Sequence, residues 1–305
     1  MRISTSQIYQ SGARSLMDGQ TSLYKIQNQL STGKRFLSAQ DDPVAAAQVV
    51  LTNQSLAVNS QFADNQSNAS SQLAYEEGQL ESVVESVQYI MERVVAGGNG
   101  SYSDSDRESI AADLQSQFDL LLGLANSKDA NGYYLFSGYK SDTKPFELQA
   151  DGSVTYAGDD GQRLLQVGPS RQIAVNDSGE TIFDNGQSVF GTLQNLITAF
   201  STDISGDATA TAAFNSTYET ELENLHGILD NVLSVQASIG SRMNELDSLA
   251  NLSSTLDLQY QERLSNLQDI DYAETISRFI QQQTQLEASQ SSYAKITGLS
   301  LFNYL

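Results

Sequence analysis

The sequence predicts a mainly α protein: a long coiled-coil helical bundle formed by its N- and C-terminal segments, with a small β domain inserted between them. Three observations predict it. Residues 1–35 and 273–305 each carry a helical apolar stripe without proline. Heptad registers run for many turns between those ends, and strand-like sequence is confined to about 133–183. Termini built to pair across an intervening body point to a subunit that polymerises.

In the first segment Tyr9, Leu16, Leu23 and Leu30 recur every seven residues, and Ile26 follows Leu23 by three, the spacing of one helical seam. The seam is thin, because Gly12 and Gly19 hold the offset positions. Gly33 reads as a C-cap, 34–40 as a loop, and Asp42-Pro43 as an N-cap followed by proline at the first helical position. A second register, Leu73, Leu80, Val87 and Val94 with Val83 and Ile90 on the offset line, predicts the next helix. Ser105 to Glu108 fits a capping box before Ile110, Leu114, Phe118 and Leu121.

Short β-prone runs follow at 146–148, 154–156, 163–167 and 172–175, punctuated by Asp151-Gly152, Asp160-Gly161 and Ser178-Gly179. Residues 188–200 read as a short amphipathic helix and 201–213 as a loop. The longest helix is expected over 217–267. Leu222, Leu229, Gln236, Met243, Ala250 and Leu264 share one line, and Leu225, Val232, Ile239, Leu246, Tyr260 and Leu267 the other. That register would place Asp271, Glu274 and Arg278 on the seam, so it breaks near 269–271, and a stripe of Ile276, Ile280, Leu286, Tyr293, Ile296 and Leu299 takes over. Breaks at similar distances from both ends describe a terminal module, a hinge and a second helical module; two ordinary helix ends would leave the same trace. Ordering some thirty residues on so few apolar contacts costs more entropy than the seam returns, so assembly is the expected source of order at the ends.

Composition narrows the chemistry. The 305 residues include no cysteine, no tryptophan, three prolines and one histidine, with a formal net charge of −21. A disulfide framework and thiolate metal sites are excluded. No apolar run approaches the length of a membrane span, and no cleavable leader is expected at Met1. Residues 1–42 carry five basic residues against three acidic ones, whereas the rest carries 11 basic and 34 acidic residues. Such a body repels polyphosphate, so nucleic acid is not an expected partner. The N-terminal basic residues read either as a solvated helix face or as partners of neighbouring acids.

No catalytic, cofactor or metal site is expected, and the chain does not read as an enzyme. His226, the lone imidazole, lies on the longest helix in a structural or solvent-facing position. No phosphate loop of the P-loop pattern occurs. Asp104 and Asp106 resemble the start of a calcium loop, but the required glycine and distal glutamate are missing, and acids at a helix start explain them. Asp159-Asp160 reads as a turn. Tyr133, Tyr134 and Phe136 read as a buried strand edge or as a recognition patch.

Several segments together resemble the flagellin superfamily: the opening Met1 to Thr5, Gln29 to Arg35 with Asp41 to Ala46, Asn131 to Gly138, and Gln282 to Leu286 with Gly298 to Phe302. The Tyr134 to Gly138 segment leading into one small β domain, and the ending Ser300 to Leu305, are more similar to the hook–filament junction branch than to flagellin itself. The resemblance implies a structural subunit of the bacterial flagellum that forms the junction layer between hook and filament. Its partners would be further copies of itself in a ring, the first junction protein FlgK, flagellin on the distal side, an export chaperone and the flagellar type III apparatus. It would be extracellular, exported without a cleaved signal, and not inserted in a membrane. Residues 1–40 and 268–305 would form the terminal axial module, 41–136 and 186–267 the helical-bundle module, and 137–185 a small outer β domain. The assembly interface would comprise Ile3, Ile8, Leu16, Leu23, Ile26, Leu30, Ile276, Ile280, Leu286, Tyr293, Ile296, Leu299, Leu301 and Phe302. Flagellin itself, or a secreted adhesin that binds through its β domain, are the alternatives.

Overall fold

A computed structural model describes residues 5–298, with side chains throughout that span except at positions 5, 6, 8, 297 and 298. The elements run α1 (Thr5–Thr32), α2 (Pro43–Gly97), α3 (Asp104–Ala125), β1 (Phe146–Leu148), β2 (Val154–Tyr156), β3 (Leu164–Gly168), β4 (Arg171–Ala174), α4 (Gly179–Phe183), α5 (Val189–Phe200), α6 (Ala208–Gln268) and α7 (Tyr272–Gly298). The chain divides into two compact units: 1–59 with 255–305, and 60–254. Because α2 and α6 run past these boundaries, each contributes to both units.

The punctuation of the helices follows local chemistry. Gly33 sits at φ 70°, a left-handed conformation that ends α1 at no steric cost. At the start of α2, Asp42 Oδ1 accepts the N–H of Ala45 at 3.0 Å, ahead of which Pro43 needs no donor. The capping box of α3 lies two residues earlier than the sequence suggests. Ser103 Oγ accepts the Asp106 N–H at 3.2 Å, and the Asp106 carboxylate accepts the Ser103 N–H at 3.0 Å. Aspartate therefore fills the role sought for Glu108. Helix α6 begins nine residues before the expected 217, because Asp207 Oδ1 accepts the N–H groups of Thr209 and Ala210 at 2.8 and 3.1 Å. Much of the stretch expected as loop is thus helical.

The core of the 60–254 unit stacks the α2 line Leu73, Leu80, Val83, Val87, Ile90 and Val94 with the α6 line Leu225, Val232, Ile239 and Leu246. Two antiparallel hairpins, β1–β2 and β3–β4, belong to the same core. Phe146 of β1 contacts Phe183 of α4 and Phe190 of α5 at centroid distances of 5.4 and 5.3 Å, and Phe190 meets Phe118 of α3 at 5.6 Å. These rings fill the space between hairpin and helices, so the β segment is anchored by its own apolar residues. Of the three aromatics around 133–136, Phe136 is fully buried against Phe183, Tyr134 pairs with Lys128 in an isolated bridge, and Tyr133 remains exposed.

Polar side chains fix the second hairpin to the long helices. Gln66 Nε2 donates to the Val167 carbonyl at 2.7 Å and to Ser253 Oγ at 3.1 Å, while Arg171 Nη2 donates to Glu245 Oε2 at 2.6 Å. Arg242 pairs with Asp177 and donates to the Ala174 carbonyl at 2.9 Å. Beside that ion pair, buried Glu76 accepts the Asp177 N–H through Oε1 at 2.9 Å, and its Oε2 has no hydrogen-bond partner among the described residues. Burial, then the charge of Asp177, pushes the Glu76 carboxyl up to about 8, so it carries its proton at neutral pH.

Candidate assembly surface

The two ends of the chain pair with each other within the single chain, whereas the sequence alone assigns their order to assembly. Helices α1 and α7 run antiparallel: Gly12 faces Tyr293, Gly19 faces Leu286 and Gln282, and Gly33 lies under the Tyr272 hydroxyl. A Cβ built at Gly12 would stand 2.7 Å from Tyr293 Cδ2, and one at Gly19 would stand 3.2 Å from Leu286 Cδ1. The glycines that thin the α1 seam are therefore sockets for the bulky residues of α7. Half-buried Leu16, Leu23, Ile26 and Leu30 complete the α1 side.

The α7 side differs from the stripe read from the sequence. Its inward line is Thr275, Phe279, Gln282, Leu286, Ser289 and Tyr293, spaced four and three residues apart, which is the heptad rhythm. Leu286 and Tyr293 are on it. Ile276 and Ile280 are exposed at 46% and 57%, because about 100° of rotation per residue carries them off the seam, whereas Ile296 continues the four-and-three rhythm three residues after Tyr293 yet is 45% exposed near the end of the described pair. Ile8 falls among the side chains not described, and Ile3, Leu299, Leu301 and Phe302 lie outside the described residues.

The exposed isoleucines have company that the sequence reading missed. On α1, Met17 is 62% and Tyr24 66% exposed. In an antiparallel pair at this register, those two residues fall on the same side as Ile276 and Ile280, with Tyr24 level with Ile280. The seven-residue spacing of Met17 and Tyr24 was the available signal. The pair thus presents an apolar side that nothing in the described chain covers. Among the described side chains none of α1 is fully buried, and in α7 only Thr275 is, so the intramolecular packing is one-sided.

At its inner end the pair is clamped to the flanking helices. Lys34 and Asp269 form an isolated antiparallel bridge, with the Arg35 N–H donating to the Gln268 carbonyl at 2.6 Å and the Ile270 N–H to the Gly33 carbonyl at 3.1 Å. Asp271 starts α7 by accepting the Ala273 and Glu274 N–H groups at 2.9 and 3.1 Å. Both sequence breaks therefore meet at one place. Basic residues nearby pair with acids rather than standing free: Lys25 Nζ lies 2.7 Å from Asp41 Oδ1, and Arg35 Nη2 lies 3.2 Å from Asp42 Oδ2. The Lys25 hydrogen bond, then the Leu37 and Ser38 N–H groups, hold Asp41 down at about 2.

This arrangement has counterparts in known proteins. The bacterial flagellin N-terminal helical region matches residues 3–141, and the bacterial flagellin C-terminal helical region matches 222–305. Flagellar hook-associated protein 3 of Escherichia coli (strain K12) is 37% identical over 320 residues, covering 99% of each chain. The chain belongs to the flagellar hook-associated protein 3 family. The Salmonella typhimurium (strain LT2) hook-associated protein 3 is 35% identical over 316 residues, again covering 99% of each chain. The crystal structure of the flagellar junction protein FlgL from Legionella pneumophila has the same fold, with a TM-score of 0.63 over 74% of this chain and 100% of that one at 22% identity. Hook-associated proteins are structural components of the flagellum, not enzymes, and membership places this chain among them. The two helical regions shared with flagellin hold α1, α2, α3 and α7 entirely, and both hairpins lie outside them.

Proposed function

We propose that the chain forms the junction layer between hook and filament, closing into a ring on the first junction protein FlgK and accepting flagellin on its distal side. The observation that carries this reading is the paired ends: α1 and α7 share a glycine-socketed seam, yet leave Met17, Tyr24, Ile276 and Ile280 exposed along one side. A monomer gains nothing from that side. Copies stacked around an axis would bury it.

In this reading 1–40 and 268–305 form the axial module, 41–136 and 186–267 the helical module, and 137–185 the outer β module. The inward residues Leu16, Leu23, Ile26, Leu30, Leu286 and Tyr293 set the geometry of the pair, and the exposed ones make contact with neighbours. An export chaperone would cover the same apolar side before the flagellar type III apparatus passes the unfolded chain to the exterior. Deleting the gene tests the proposal. Hooks without filaments, with flagellin monomers in the medium, are expected; full-length filaments in the deletion strain would refute it.

A further inference from the structure

We propose that a cleft beside α2, at the turn that follows α3, binds an acidic sugar of the uronic-acid class. The cleft measures about 520 Å³. Its α2 wall is a single helical face of Asn68, Ser71, Gln72 and Tyr75, and Lys128 to Asn131 form the facing wall. Buried Leu135 and Val175 provide an apolar floor. The Tyr75 hydroxyl donates to the Lys128 carbonyl at 3.0 Å, which joins the two walls.

Charge selects the ligand class. Lys128 and Arg163 both line the cleft, and neither has an ion-pair partner among the described residues. Elsewhere in the 60–254 unit Arg93, Arg107, Arg171 and Arg242 are each paired with a carboxylate, Lys140 donates to the carbonyls of Ala157 and Gly158, and only Lys144, outside the cleft, likewise lacks an ion pair among the described residues. Lys128 Nζ lies 4.5 Å from the centroid of the Tyr134 ring and Arg163 Nε donates to Asn176 Oδ1 at 3.4 Å, contacts that hold the two cations at the cleft without neutralising them, so together they offer a site for a carboxylate. The one carboxylate in the lining, Asp129, is turned to its own loop, where Oδ1 accepts the N–H groups of Asn131 and Tyr133, both at 2.9 Å, and the two cations outnumber it in the lining. Neighbouring Glu76 holds its proton at neutral pH and does not cancel Arg163.

Size and wall chemistry exclude a bare carboxylate as the natural occupant. The space falls in the range of small-molecule pockets and exceeds what a single acidic side chain fills. Amide and hydroxyl groups at Asn68, Ser71, Gln72 and Asn131 suit the vicinal hydroxyls of a pyranose, and the exposed ring of Tyr75 suits its apolar face.

Two-dimensional NMR of the uniformly ¹⁵N-labelled full chain, titrated separately with glucuronate, glucose and acetate, tests the proposal without reference to the flagellar role. Glucuronate should shift the amides of Ser71, Tyr75, Lys128 and Asn131 saturably, with a Kd of about 1–10 mM, as expected for one open site. Glucose should bind at least about tenfold more weakly, and acetate should produce no saturable shift at those amides. Exposed Lys128→Gln should weaken glucuronate at least about fivefold with its thermal unfolding unchanged. Absence of saturable shifts, equal responses to glucuronate and acetate, equal responses to glucuronate and glucose, or an unaltered Kd in Lys128→Gln would each overturn the assignment.

Discussion

The ring of Tyr293 lies over Gly12, close enough that a Cβ on the glycine would stand 2.7 Å from its Cδ2, and this contact ties residue 12 to a position almost three hundred residues later. Neither residue has another substitute of the same shape. Gly12→Val should therefore force the ring out of its socket and cost about 1–3 kcal/mol in the stability of the pair, despite the gain in helix propensity over glycine. Amide exchange in 9–16 and 289–296 would report the loosening. Tyr293→Ala in the same chain should relieve the clash and restore part of the protection; no change in the single variant would contradict the socket.

Glu76 predicts an unusual pH response. Its folded-state value of about 8 lies above the ordinary 4.5, so the unfolded chain releases this proton first. The group thus lowers stability progressively as pH rises from about 4.5 to about 8, and is neutral in effect below 4.5. Glu76→Gln keeps an oxygen to accept the Asp177 N–H and removes the titration. Denaturant titrations should find the variant more stable than the parent by on the order of 3 kcal/mol at pH 7, with little difference at pH 4. Equal stability at both pH values would show that Glu76 is ionised in the fold.

Asp41 behaves in the opposite sense. Held at about 2 by Lys25 and by the Leu37 and Ser38 N–H groups, it favours the folded loop at every pH above its ordinary 3.8, and that contribution disappears as pH falls through 2. Asp41→Asn should accelerate amide exchange at Leu37 and Ser38 at pH 7 while leaving 60–254 unaffected. Unchanged exchange at those two amides would remove Asp41 from the loop's support.

The exposed and inward residues of the terminal pair should respond differently to charge. Leu286→Asp places a carboxylate against Gly19 in the seam and should unfold the α1/α7 pair of the isolated subunit. Ile280→Asp, more than half exposed, should change subunit stability by no more than about 0.5 kcal/mol. Circular dichroism on both variants separates the two faces; equal loss of helix would mean that Ile280 is inside the pair.

Long-range pairing was legible where the heptad was apolar and continuous. The lines through Leu73 to Val94 and Leu225 to Leu246 are the buried core of the 60–254 unit, and the breaks near Gly33 and Asp269 meet in one bridge. At the ends the pattern misled because the inward α7 line mixes Thr275, Gln282 and Ser289 with Phe279, Leu286 and Tyr293, and polar residues hide a seam from a search for apolar ones. Glycine opposite an aromatic residue is the same difficulty in its sharpest form: Gly12 reads as a weakness in isolation and as a socket once Tyr293 is placed. The buried roles of Gln66, Glu76 and Arg242 were invisible because their partners are remote in sequence: Val167 is 101 residues from Gln66, and Asp177 is 101 from Glu76 and 65 from Arg242.

The most direct test of the account is filament growth in a strain whose only copy of this gene carries Ile280→Asp. The variant subunit should fold and be exported, but the apolar side of its terminal pair would carry a charge that a neighbouring copy cannot bury without a large desolvation penalty. Electron microscopy should find bare hooks, and immunoblots should find both the variant and flagellin as monomers in the medium. Filaments of normal length and number on those hooks would contradict the claim that this side of the α1/α7 pair is the assembly surface.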